Sequence, residues 1–139
     1  MDYRLQGARV LELPKRSAIA DLIEAIQQGF RFEVFTVLCS RYGAPRQLLA
    51  DTIGVSQSTL NQRERDGRFN EPESDRLLRV AGLYGVAESV VRDRAMAIDW
   101  MHTPNRGLGG HTPLAYAKSE TGAREVEYLL GRIAHGIVA

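Results

Sequence analysis

Apolar residues recur along most of this chain at the three- and four-residue spacing of one face of a helix. The first such stripe lies between Ser17, a predicted N-cap, and Gly29, a predicted helix end, and comprises Ile19, Leu22, Ile23 and Ile26. The same spacing predicts further helices over residues 32–42, 70–85, 90–101 and 126–136. No segment alternates apolar and polar residues as a strand does, so the predicted fold class is all-α.

The first residues of the chain differ from the rest. Residues 1–16 lack a sustained apolar period and end in Pro14-Lys15-Arg16, which predicts a loosely ordered N-terminal arm. We expect a helical domain over residues 17–85, with a helix-turn-helix at 46–66, and a smaller helical domain over residues 86–139.

Composition narrows the possible functions. Hydrophobic residues make up 44% of the 139 residues and charged residues 25%, as in an ordinary globular protein. The net charge of +1 gives no general attraction to nucleic acid or membranes, so such binding requires a local patch. A single cysteine, Cys39, excludes an internal disulfide framework and a zinc site built on several cysteines. Without a signal-like N-terminus or a long apolar run, the expected location is cytoplasmic.

The strongest local motif lies in the segment RQLLADTIGVSQSTLNQRERDGRF. Ala50, Gly54 and Leu60 follow the spacing of a helix-turn-helix. A small residue lets the two helices cross closely, the glycine permits a left-handed turn, and the apolar residue holds the second helix against the first. The competing interpretation is a helical hairpin with a glycine turn that binds no DNA.

The second helix of this motif carries polar side chains suited to DNA. Ser56 is its predicted N-cap, and amides and hydroxyls on its outer face are of the kind that contact base edges in a major groove. Arginines on the same segment are expected to contact phosphates, although Arg63 stands where a buried apolar residue is usual, so the helix is either tilted or held by another group. The predicted DNA-binding residues are Arg46, Gln57, Ser58, Asn61, Gln62, Arg63 and Arg65, with Arg68 a further phosphate contact.

A glycine-rich stretch, PNRGLGGHTP at residues 104–113, resembles a nucleotide-binding loop only superficially. Thr112 occupies the place of the third glycine of a dinucleotide loop, and the nearest lysine, Lys118, lies beyond the stretch. We therefore expect a reversal between two helices, anchored by Trp100 and Leu108, with Thr112-Pro113 opening the next helix. The three histidines are scattered, so no catalytic, metal-binding or cofactor-binding role is predicted.

From about residue 26 onward the chain resembles the Xre/MbcA/ParS antitoxins, the partners of RES-domain toxins. The resemblance lies in the segments IGVSQSTLNQRERDGRF, EPESDRLLRVAGLYG, DWMHTPNRGLGGHTPLAYAKSETGAREVEYLLGRI and HGIVA. A helix-turn-helix alone is common. The Trp, Pro-Asn, Leu-Gly-Gly, Thr-Pro-Leu and Thr-Gly pattern of the third segment is much more specific.

The resemblance implies a two-part antitoxin without catalytic activity. The helix-turn-helix half would repress its own operon, as a homodimer on a two-fold operator. The C-terminal half would dock on a RES-domain toxin, which depletes NAD or transfers ADP-ribose, and block its NAD-binding cleft. The expected toxin-binding residues are Arg106, His111, Arg132, His135, Gly136, Ile137 and Val138. The alternative is a stand-alone transcription regulator whose C-terminal half senses a ligand or only dimerises.

Overall fold

A computed structural model describes residues 3–13 and 18–136, and within these ranges it contains helices and no strand, which confirms the all-α prediction. No helix in the part of the chain it describes is long and apolar enough to cross a membrane. The predicted cap Ser17 lies outside the described residues. The helices are α1 (Tyr3–Val10), α2 (Ile19–Gln28), α3 (Glu33–Tyr42), α4 (Arg46–Thr52), α5 (Gln57–Asp66), α6 (Glu71–Val91), α7 (Arg94–His102), α8 (Pro113–Tyr116) and α9 (Glu120–Ala134), with a 3-10 turn at Arg106–Leu108.

Helix α6 is the centre of the fold. It begins as predicted at Asn70 and Pro72, and Asn70 and Glu73 form a reciprocal capping box in which each side chain accepts a hydrogen bond from the other residue's backbone N–H. Its residues 77–87 are all buried, because α1, α2, α3, α7 and α9 pack around them. A helix of 21 residues is about 31 Å long, so α6 spans the molecule.

The prediction of a loosely ordered arm over residues 1–16 is wrong for residues 3–13, and the rest of that range lies outside the described residues. Residues 3–10 form α1, which packs along α6 with the two backbones in contact. A Cβ atom on Gly82 would lie 2.2 Å from the Tyr3 carbonyl oxygen, and one on Gly7 would lie 2.4 Å from the Leu78 carbonyl oxygen. Glycine is required on both helices, and such a contact leaves no periodic stripe of large apolar residues in the sequence.

The predicted end of α6 at Gly85 is wrong. The helix continues to Val91, and Gly85 faces α1, where a Cβ would lie 3.0 Å from Cγ2 of Val10. The helix ends instead at Arg92, which adopts the left-handed φ of 59°. Asp93 then accepts a hydrogen bond from the Met96 N–H at 2.8 Å and starts α7. Helix α6 therefore crosses residue 85, where the sequence placed the limit between two domains.

The glycine-rich stretch forms a reversal between α7 and α8, as expected. Asn105 closes it: its side-chain oxygen accepts from the Gly107 N–H at 2.8 Å, and its backbone N–H donates to the His111 carbonyl at 3.0 Å. Leu108 is buried beneath it, whereas Trp100 is only partly buried. Thr112 caps α8 by accepting from the Ala115 N–H at 3.0 Å. Several of the loop's backbone groups thus bond within the loop, as in a structural turn.

Candidate functional site

Helices α4 and α5 have the geometry of a helix-turn-helix. Ala50 and Leu60 are fully buried between them, and Gly54 adopts the left-handed φ of 72°. The Val55 N–H donates to the Ala50 carbonyl at 2.8 Å and closes the turn. Ala50, Gly54 and Leu60 therefore make the contacts that their spacing in the sequence predicted.

The outer face of α5 is polar and exposed. Ser56 caps the helix by accepting from the Thr59 N–H at 3.2 Å. The predicted base-contacting residues all lie on the exposed surface, and two of them pair with each other, with Gln57 Nε2 donating to Asn61 Oδ1 at 3.1 Å. Surface hydrogen bonds of this kind compete with water and contribute little net free energy, so hydrogen bonds to DNA can replace them. The exposed set is Gln57, Ser58, Asn61 and Gln62.

Two of the predicted phosphate contacts lie beside this face. Arg46 pairs with Glu64 at 3.0 Å, and its guanidinium lies 5.6 Å from the centre of the Phe32 ring. Arg65 donates to Gln62 Oε1 at 2.8 Å. Both arginines are exposed, and their bonds are surface bonds, so both remain available to a phosphate.

Arg63 is placed differently from the other arginines of the motif. Its Nε and one terminal nitrogen donate to the two oxygens of Glu73 at 2.8 and 3.1 Å. Glu73 is only 6% exposed, and the same carboxylate accepts from the Asn70 N–H at 3.0 Å. This bond to Glu73 raises the pKa of Arg63 above its ordinary value. The end of the recognition helix is therefore held by another group, one of the two expected explanations for an arginine at this position.

Arg68 is also engaged, because it donates to the Gly29 carbonyl at 2.7 Å. It joins the end of the motif to the end of α2. Sequence analysis placed Arg63 and Arg68 among the phosphate contacts and did not identify Glu73. The only signal for Glu73 was its place three residues after Asn70, where a capping box puts a glutamate.

In the C-terminal half, the candidate toxin-binding surface comprises α9 and the glycine-rich turn before α8. Ala123, Val126 and Leu130 bury one face of α9, while Tyr128 on another face is 65% exposed. The Arg132 guanidinium lies 5.9 Å from the Tyr128 ring centre. Its Nε is buried and has no hydrogen-bond partner in the described part of the chain.

The predicted toxin-binding residues fall into three groups. Arg106 and His111 are exposed on the turn, which packs on α9 close to Leu129. His135 and Gly136 are exposed just after α9, and Arg132 is half-buried on it. Ile137 and Val138 lie outside the described residues. The structure thus brings the turn and α9 together on one side of the molecule.

His102 has a structural role. It lies 2.6 Å from the hydroxyl of Tyr84, which is fully buried in α6. Burial lowers the pKa of His102, which favours the neutral ring as a hydrogen-bond partner. Across residues 3–13 and 18–136 no group of three or more histidine, cysteine, aspartate or glutamate side chains is arranged to hold a metal ion.

Comparison with known proteins agrees with both halves of this description. Residues 21–82 match the antitoxin Xre-like helix-turn-helix domain, and residues 86–136 match the antitoxin Xre/MbcA/ParS C-terminal toxin-binding domain. Antitoxin Xre of Yersinia enterocolitica is 35% identical over 118 residues, which cover 84% of this chain and 80% of that protein. Antitoxin Xre of Pseudomonas putida is 28% identical over 135 residues, which cover 97% and 84%. Such relatives are regulatory and binding proteins rather than enzymes, as the sequence led us to expect. The chain therefore belongs to the Xre/MbcA/ParS antitoxin family.

Proposed function

We propose that this antitoxin neutralises a RES-domain toxin through its C-terminal half and represses its own operon through the helix-turn-helix. The observation that carries the first part is the match of residues 86–136 to a toxin-binding domain. The exposed polar face of α5 supports the second part.

For DNA binding, α5 enters the major groove with its outer face toward the bases. Gln57 and Asn61 lie one helical turn apart, and amide side chains pair bidentately with adenine. Arg46 and Arg65 contact phosphates on either side. We leave Arg63 out of the contact set, because its guanidinium is held by a buried carboxylate. It positions the end of the recognition helix instead.

A homodimer is part of the proposal. A helix-turn-helix protein that binds a two-fold operator places its two recognition helices about 34 Å apart, one turn of the DNA. We expect two copies of this chain on an operator with that half-site spacing.

For toxin binding, the surface formed by the turn and α9 docks beside the toxin's NAD-binding cleft. Tyr and Arg are the side chains that most often dominate protein interfaces. The partly exposed Arg132 side chain, next to the exposed Tyr128 ring, suits an acidic side chain of the toxin. Arg106, His111 and His135 belong to the same proposed surface, and residues 136–139, including Ile137 and Val138, are the proposed segment that enters the cleft.

Co-expression with the protein encoded next to this chain tests the neutralisation. We expect a complex that consumes no NAD until the two chains are separated. Arg132→Ala should weaken the complex at least about tenfold, the equivalent of one lost charge-assisted hydrogen bond. Arg124→Ala, an exposed arginine of the same helix that pairs with Glu120, is the control. A neighbour that neither co-purifies nor consumes NAD would contradict the proposal.

The repression is tested with the promoter DNA of the same operon. Gln57→Ala combined with Asn61→Ala should lower affinity at least about 30-fold, since each of the two bidentate base contacts contributes about 1–3 kcal/mol. Gln28→Ala, an exposed amide of α2 that bonds to Glu24, is the control and should have no effect. Unchanged affinity of the double variant would exclude α5 as the recognition helix.

A further inference from the structure

A polar cleft of about 500 Å³ lies between α1, α3 and the joint of α6 with α7. Four arginines line it, each from a different segment: Arg9 of α1, Arg41 of α3, Arg92 at the end of α6 and Arg94 of α7. It lies between the helix-turn-helix half and the toxin-binding half, and we call it the junction cleft. Its volume falls in the range of small-molecule sites.

The two carboxylates of the junction cleft are already engaged. Glu88 accepts from the Tyr42 hydroxyl at 2.9 Å and from Arg41 and Arg94 at 3.3 and 3.2 Å. Burial alone would raise the pKa of Glu88, but the Tyr42 hydroxyl and the two guanidiniums outweigh it, so the pKa is lowered and the group is a carboxylate at neutral pH. Asp93 caps α7.

The charge of the cleft is therefore not balanced within it. Four guanidiniums face two carboxylates, which leaves two positive charges in a chain whose total is +1. The side chains of Arg9 and Arg92 are exposed and make no hydrogen bond or ion pair with any described residue. Guanidiniums left in this state favour an anion that supplies several oxygens at once.

The backbone conformation of Arg92 also supports a binding role for its side chain. Helices commonly end with a glycine in the left-handed region, where a side chain costs about 1 kcal/mol or more. Arg92 holds that conformation with a φ of 59° and an N–H bond to the Glu88 carbonyl at 2.8 Å. An arginine at a position that glycine fits better is consistent with a use for its side chain.

We propose that the junction cleft binds a small molecule through a pyrophosphate group. Pyrophosphate offers more acceptor oxygens than a carboxylate, it pairs with several guanidinium forks at once, and its charge matches the excess in the cleft. The volume leaves room for an attached nucleoside-sized group. This inference depends on neither toxin binding nor operator binding.

Calorimetric titration of the full chain with sodium pyrophosphate at low ionic strength tests the proposal. We expect saturable binding of one pyrophosphate per chain. Arg92→Gly should weaken it at least about tenfold. Because glycine relieves the strained backbone, this variant loses the side chain without endangering the fold. Arg9→Gln should weaken binding similarly.

Arg31→Gln and Arg124→Gln are the controls, because they remove the same charge from exposed positions outside the cleft. Absence of saturation, or equal weakening in controls and cleft variants, would overturn the proposal. Equally tight binding of citrate would overturn the phosphate specificity. If pyrophosphate fails to bind while Arg92→Gly weakens promoter binding, the cleft contacts the DNA backbone instead, and the proposal fails.

Discussion

Near each end of α6 a glutamate pairs with arginine. We call the N-terminal end, at Glu73, the closed end because this pair is buried, and the C-terminal end, at Glu88, the open end because its cluster borders the junction cleft. At the N-terminal end Glu73 is almost fully buried, and Arg63 and the Asn70 N–H satisfy it. At the other end, about 22 Å along the axis, the Glu88 side chain is 23% exposed and is shared by groups from two other helices.

The difference shows how the same kind of ion pair serves two purposes. The Glu73 pair uses its donors and acceptors internally and leaves no free charge, so it fixes the angle between α5 and α6. Beside the Glu88 cluster, the side chains of Arg9 and Arg92 have no partner among the described residues, which suits the binding of a ligand. The number of donors left over, rather than the presence of an ion pair, distinguishes a structural joint from a binding site.

The largest effect is expected at the closed end. Glu73→Ala removes the capping box and leaves Arg63 without its carboxylate, which should lower the free energy of unfolding by about 3 kcal/mol. Chemical denaturation followed by circular dichroism measures this. Asp75→Ala removes an exposed acid from the same helix and should change stability by less than about 0.5 kcal/mol. Equal losses would contradict the role of Glu73 as a joint.

The contact between α1 and α6 gives the next effect. In Gly82→Ala the new methyl group meets the Tyr3 carbonyl, so α1 must shift, and we expect a loss of about 2 kcal/mol. The shift also moves Arg9 away from the open end. Gly131→Ala in α9 is the control: a Cβ there meets nothing within 4 Å, so alanine should stabilise the helix by about 0.5 kcal/mol. Stabilisation in both variants would contradict the close packing of α1.

At the open end, Glu88→Gln should cost about 1 kcal/mol at neutral pH, because the cluster loses its charge-assisted bonds. The pKa of Glu88 is lowered in the folded protein, so its contribution is complete above its ordinary value of 4.5. The contribution falls as the pH drops from there through the folded pKa. Denaturation at a series of pH values should therefore show the wild type and the variant converging in acid. A constant difference between pH 7 and 3 would assign the effect to packing.

The smallest effect is a gain. Arg92→Gly should raise the free energy of unfolding by about 0.5 kcal/mol. Glycine adopts the left-handed conformation without strain, but its greater conformational entropy in the unfolded chain offsets part of this gain. Glu12, with the same φ of 59°, gives the matched control Glu12→Gly. Both variants should melt slightly higher, but only Arg92→Gly should lose pyrophosphate binding. Equal pyrophosphate binding by the two variants would show that the Arg92 side chain, despite its strained backbone, does not bind this ligand.

Features formed within one continuous segment were predictable from the sequence. Ala50, Gly54 and Leu60 indicated the helix-turn-helix because their contacts lie inside a single hairpin. Asn70 and Pro72 indicated the start of α6 because capping is local. The DNA-binding and toxin-binding residues remain predictions. Arg63 and Arg68 are engaged within the protein, and Arg132 is half-buried.

Features that join distant segments were not predictable. Gly85 has the local signature of a helix end, but its partner is Val10, far away in the sequence. Helix α1 was missed because small residues, not a stripe of large ones, hold it to α6. The polar residue at position 63 suggested that another group holds the end of α5. That this group is Glu73 could not be predicted, because it depends on the angle at which α5 and α6 pack. In each case the deciding contact depends on tertiary packing, which overrides the local pattern.

The packing of α1 on α6 also sets an order of events during synthesis. Residues 11–70 separate the two helices. At translation rates of about 5–20 residues per second, α1 is made several seconds before the helix that covers it. During that interval Tyr3 and Val10, both buried in the finished protein, are open to water, chaperones and proteases. The face of α1 that packs on α6 therefore stays uncovered until the last turns of α6 have been synthesised.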